Sequence, residues 1–75
     1  MIARRKARRW LLRSGFIQTP GNGSGHMHFK HPNGCKVMLR AHGRTELDPW
    51  SFGHFMNALR RAGFDAGAVR RELER

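Results

Sequence analysis

The sequence predicts an α+β domain of order α-β-β-β-α with a short extra helix at its end. Three antiparallel strands form one sheet, and two helices pack on one face of it. Three observations carry this expectation. Apolar residues recur at helical spacing in 3–14 and again in 49–62. Between them, polar and apolar residues alternate with the period of a strand in 25–31 and 35–41. The turn signal His31-Pro32-Asn33-Gly34 joins those two runs directly, and short connections favour a meander. At 75 residues the chain reads as one domain. A chain of this size buries only about 60% of the surface it exposes when unfolded, so its core is small.

In the first helix Ala3, Ala7, Trp10, Leu11 and Ser14 fall on one side and form the core stripe. Arg4, Arg5, Arg8, Arg9 and Arg13, with Lys6 among them, cover the rest. Gly15 is placed to stop the helix, because a left-handed residue there needs no Cβ. Residues 16–19 form a short first strand that Pro20 ends or marks as an edge. Gly21 to Gly25 form a glycine-rich loop. Such a loop serves as a hairpin connection or lets a backbone approach a phosphate. No Gly-Lys-Ser/Thr follows, so it is not a P-loop.

In the second strand His26, His28 and Lys30 share one face, and Met27 and Phe29 take the other. In the third, Cys35, Val37 and Leu39 face the core, while Lys36, Met38 and Arg40 face out. A loop over 41–47 crosses back. Asp48 caps the next helix, with Pro49 at its first position. Phe52, Phe55, Met56, Leu59 and Ala62 give that helix its apolar face, and Gly63 ends it. Asp65 caps a last helix ending near Glu74, with Val69 and Leu73 as its core contacts. Gly67 weakens it.

Charge is the strongest compositional signal. There are 15 Lys and Arg against 5 Asp and Glu, a formal net of +10. Residues 1–43 hold nine of the basic residues and no acidic one. A basic surface of this density points to a polyanion, nucleic acid first. Guanidinium forks suit phosphate oxygens, so Arg4, Arg5, Arg8 and Arg9 are candidate binding residues, with Lys30, Lys36 and Arg40 on the sheet. No apolar run approaches the roughly 20 residues of a membrane span. No long hydrophobic run follows the basic N-terminus, so no secretory signal is expected. Cys35 is the single cysteine, which excludes an intramolecular disulfide and fits a reducing cytoplasm.

The element order, with the residues it carries, resembles the HicA family of bacterial toxin–antitoxin ribonucleases. Their fold is like a double-stranded-RNA-binding domain. The matching stretches are Ser14-Gly15-Phe16, Gly23-Ser24-Gly25-His26-Met27-His28-Phe29, His31-Pro32-Asn33-Gly34, Ala41-His42-Gly43, Glu46-Leu47-Asp48-Pro49 and Leu59-Arg60-Arg61-Ala62-Gly63-Phe64. They span nearly the whole chain. The resemblance implies mRNA cleavage that halts translation, and a HicB-type antitoxin as protein partner. The family has Gly-Ser directly before its catalytic histidine. Counting back from Phe29 and His31 places that histidine at His26. Counting from Gly23-Ser24 lands on Gly25, so His26 and His28 both remain candidates.

Cleavage without a metal needs a base for the ribose 2′-OH, an acid for the leaving 5′-oxygen, and fixed positive charge at phosphorus. Histidine suits the proton transfers, with an unperturbed pKa of about 6.5. Lys30, Lys36 and Arg40 supply the charge. The expected roles are His26 as base and His28 as acid or phosphate donor, with no cofactor and no metal. His26-x-His28 resembles half a metal site, but no carboxylate lies near it in sequence. His31 reads as structural, His42 as a loop residue, His54 as boundary packing, and Trp10 and Trp50 as core or rim. With no aromatic expected beside His26, a reader that stacks bases on its sheet is disfavoured. Two other functions fit the same residues: a non-catalytic nucleic-acid-binding module of phage or plasmid origin, and a regulatory protein whose basic surface docks an acidic partner.

Overall fold

Two helix ends of the same design organise the core. The computed structural model describes residues 2–19, 26–40 and 45–75. Helix α1 spans Arg4–Arg13, α2 spans Pro49–Arg61 and α3 spans Ala66–Leu73. Strands β1, β2 and β3 span Ile17–Thr19, His26–Lys30 and Lys36–Arg40. After α1, Gly15 takes φ +95°, and the Phe16 N–H donates back to Leu11 O at 3.0 Å. After α2, Gly63 takes φ +90°, and the Phe64 N–H donates to Leu59 O at 2.9 Å. Each is a Schellman stop, which satisfies helix carbonyls and directs the next side chain inward. Phe16 and Phe64 therefore meet, with ring centroids 5.9 Å apart, and both pack on Trp10.

The sheet order is β1-β2-β3, antiparallel throughout. His31-Pro32-Asn33-Gly34 closes the β2–β3 hairpin: the Gly34 N–H donates to His31 O, and the His31 N–H to Cys35 O, both at 2.9 Å. Gly34 has φ +96° and Asn33 does not have positive φ, so the reversal is a three-residue loop ending in a left-handed glycine. The turn sets the register that pairs Phe29 with Val37 and Met27 with Leu39. Phe29, Val37 and Leu39 are buried together with Ala7 and Leu11 of α1 and Phe55 and Leu59 of α2. Both helices thus cover the same sheet face, as the apolar alternation predicts. The order is α-β-β-β-α-α, with α3 packed against α1 and α2.

His31 is structural. Its Nδ1 accepts from the Asn33 N–H at 3.1 Å, so Nε2 carries the proton and donates to Ser14 O at 3.1 Å. Its ring lies against Phe16 and Phe64. The caps read from sequence are in place: Asp48 accepts from the Ser51 N–H, and Asp65 from the Ala68 N–H. Ala3 bridges to Glu46, and the Leu47 N–H donates to Ile2 O at 2.9 Å. That bridge ties the approach to α2 to the start of α1. Among the described residues no helix is long and apolar enough to cross a membrane.

Candidate nucleic-acid interface

Burying Phe29, Val37 and Leu39 leaves the alternate residues of β2 and β3 on the other sheet face. The register arranges them in rows across the strands. Ile17, Lys30 and Lys36 form one row, Thr19, His28 and Met38 the next, and His26 pairs with Arg40 in the last. Directly opposed residues have Cβ atoms about 5 Å apart. His26 and His28, two residues apart on one strand, are separated by roughly 7 Å of backbone. Both are partly buried. Thr19 Oγ1 donates to the His28 carbonyl at 3.4 Å, which ties β1 to that row. The structure therefore brings together five of the residues singled out in the sequence: His26, His28, Lys30, Lys36 and Arg40.

Helix α2 covers the opposite face, but along the β3 edge it adds side chains next to these rows that sequence reasoning did not place there. The Arg40 N–H donates to Ser51 Oγ at 3.0 Å, and Ser51 Oγ donates to Asp48 Oδ1 at 2.6 Å. Ser51 is fully buried. These bonds hold the start of α2 against the end of β3. The Arg40 guanidinium then lies 3.4 Å from Asp48 Oδ2 and 4.6 Å from the centre of the Trp50 ring. The Ser51 hydroxyl holds the Asp48 carboxyl below its ordinary pKa, helped by the Ser51 N–H and the charge of Arg40. Trp50 stacks on His54, with ring centroids 5.2 Å apart and planes 4° from parallel. Burial lowers the pKa of His54, and the charge of Arg61 lowers it further.

His54 borders two grooves. One, of about 450 Å³, is lined by Thr19, His28, Lys30, Lys36, Met38 and His54, with the backs of Phe29 and Val37. The other, of about 550 Å³, is lined by Lys36, His54, Asn57 and Arg61 beside the hairpin turn. Lys36 and His54 belong to both, so the basic surface continues from the sheet on to α2. One signal for this was present in the sequence: Trp50, His54, Asn57 and Arg61 are spaced 4, 3 and 4 apart, which is one stripe of a helix. What the spacing did not contain was the direction in which that stripe faces.

The arginines of α1 are elsewhere. Arg4, Arg5 and Arg8 border a groove with Met27, which points away from the histidine face. Arg8 Nε donates to Gln18 Oε1 at 2.9 Å, and Arg13 pairs with Glu72 at 2.9 Å. Arg4 Nη1 donates to the Arg40 carbonyl at the end of β3, at 3.4 Å. Arg9 is exposed on the same helix. The predicted binding residues thus fall into two sets on different layers. The glycine loop 21–25 and His42 lie outside the described residues.

Cys35 is buried, its thiol pKa raised by that burial, and its Sγ donates to Ala58 O at 3.5 Å. A protonated, buried thiol is no nucleophile. Among the described residues, no three His, Cys, Asp or Glu side chains gather as metal ligands would. No protein-family model matches the chain, and no curated protein matches it.

Proposed function

We propose that this chain is a HicA-like toxin: a metal-independent endoribonuclease that cuts mRNA in the cytoplasm and is held in check by a HicB-type antitoxin. The observation that carries the reading is the row arrangement of the open sheet face, where His26 and His28 stand beside Lys30, Lys36 and Arg40. Two imidazoles about 7 Å apart along a strand leave room for a phosphodiester between them. One takes the 2′-OH proton while the other donates to the departing 5′-oxygen, and the cations stabilise charge at phosphorus. The first five elements, α-β-β-β-α with both helices on one face, fit a fold like a double-stranded-RNA-binding domain, to which α3 is an addition. The motifs behind the resemblance, Ser14-Gly15-Phe16, His31-Pro32-Asn33-Gly34 and Ala62-Gly63-Phe64, end helices and turn strands. They support a shared fold more than a shared chemistry.

The test is incubation of a long single-stranded RNA with the purified chain in EDTA, beside a folded His26→Ala/His28→Ala variant. The expected result is cleavage by the parent and a loss of about 100-fold or more in the variant, the scale of general acid–base catalysis. Equal cleavage by both would remove the histidines from the mechanism. A second reading, a non-catalytic RNA-binding module, is favoured by one observation. The exposed arginines Arg5, Arg8 and Arg9 lie on the helix layer, away from the histidines. It expects tight, salt-sensitive binding and no cleavage by either protein.

A further inference from the structure

The aromatic pair on α2 is not explained by packing. Trp50 is 44% exposed in the first turn of α2, directly before the buried Ser51. Its ring is stacked parallel to His54, and the guanidinium of Arg40, the cross-strand partner of His26, lies over it at 4.6 Å from the ring centre. A large aromatic left in solvent beside cations is the arrangement that binds unpaired bases. The grooves on either side of His54 are lined by His28, Lys30 and Lys36 in one and by Lys36 and Arg61 in the other, with no acidic side chain in either. Their charge matches one occupant, a polyphosphate backbone.

We infer that Trp50 and His54 form a base-stacking platform for single-stranded RNA, and that Lys36 and Arg61 hold the phosphates of the same strand. The strand then runs from the histidine face of the sheet, past Met38, on to the exposed stripe of α2. This rests on the reading that the open sheet face takes RNA, and it adds which form of RNA and by what contacts. Paired bases present no open π-face to an indole, so the platform selects single strands over duplex. Selection here comes from stacking and does not read base identity, because π-faces are common to all bases.

The experiment is equilibrium binding of a short 2′-O-methyl single strand, which cannot be cut through its 2′-oxygen, beside the same sequence as a duplex. Trp10 is 8% exposed, so quenching of tryptophan emission on binding reports Trp50. The expected result is tighter binding of the strand than of the duplex, with quenching. Trp50→Ala weakens strand binding about 5- to 150-fold, the cost of one lost base stack. Trp50→Phe retains affinity within a few-fold. Strand binding without quenching, or unchanged by Trp50→Ala but abolished by Lys30→Ala/Lys36→Ala, overturns the platform and leaves RNA on the sheet face. Strand binding unchanged by Lys30→Ala/Lys36→Ala overturns both. The quenching measurement uses the parent chain, so it stands even if Trp50→Ala fails to fold.

Discussion

Gly15 shows how much a single position sets. It has φ +95°, where L side chains are strained, and a Cβ built on it would lie 3.2 Å from His31 Nε2. That nitrogen donates to the carbonyl of the preceding residue, Ser14, so the ring cannot withdraw without losing its bond. Gly15→Ala is expected to cost about 1–2 kcal/mol from the left-handed backbone alone, and more from the crowding. The check is the urea midpoint at constant slope. A midpoint equal to the parent's would mean that the helix end and the His31 ring relax together. Gly34, also at positive φ, has nothing within 4 Å of its would-be Cβ. A substitution there meets the backbone strain without the clash. At this scale the sequence was legible: glycine after a helix and Asn-Gly in a turn each carry a local physical meaning. The place of His31 at the turn marks it as structural, and its two hydrogen bonds and two aromatic contacts supply the reason.

At the scale of elements, the join between β3 and α2 positions the candidate site. Asp48 caps α2, Ser51 links that cap to the backbone of Arg40, and Arg40 returns to Asp48 with its side chain. The Asp48 carboxyl has a folded pKa below its ordinary 3.8, first because Ser51 Oγ donates to it. The folded chain therefore binds this proton less readily than the unfolded one. The stability it contributes is complete above the ordinary value and is lost as pH falls through the lower folded value. Asp48→Asn keeps a capping side chain but removes the charge. The stability gap between parent and variant is thus expected to be constant near neutrality and to narrow below about pH 4, read from urea midpoints across pH. Parallel profiles would show that the charge is not part of the join. Ser51→Ala leaves the part-buried Arg40 N–H without its partner and is expected to cost about 1 kcal/mol. The measurement that checks it is the unfolding midpoint, and an unchanged value would mean the amide has found another acceptor.

The chain's net charge is +10, and the basic residues singled out for nucleic acid fall on two layers. Lys30, Lys36 and Arg40 flank the histidines, while Arg5, Arg8 and Arg9 occupy the helix side. If RNA lies on the open sheet face, neutralising Lys30 and Lys36 together lowers the slope of log affinity against log salt by about 1.4 for a single strand. Arg5→Ala/Arg9→Ala lowers it by less. The reverse ranking would place the nucleic acid across α1 and favour the non-catalytic module. Composition made a polyanion the expected partner but could not divide the charges between layers. That division depends on which way each helix is turned when it packs.

The sequence by itself determined every helix and strand, the caps of α2 and α3, and the inward and outward faces of β2 and β3. Those features follow from backbone periods of 2 and 3.6 residues and from the conformations that glycine, proline and asparagine favour, all of which act between near neighbours. It also placed His26, His28 and Lys30 on one face, because that needed only alternation. Only the tertiary structure decided that α2 sets Trp50 against Arg40 and brings His54 to the groove that holds His28, and that α1 carries its arginines to the other layer. Those placements are set by contacts distant in sequence: Ser51 on the Arg40 backbone, Phe16 against Phe64, and the apolar faces of two helices sharing one side of the sheet.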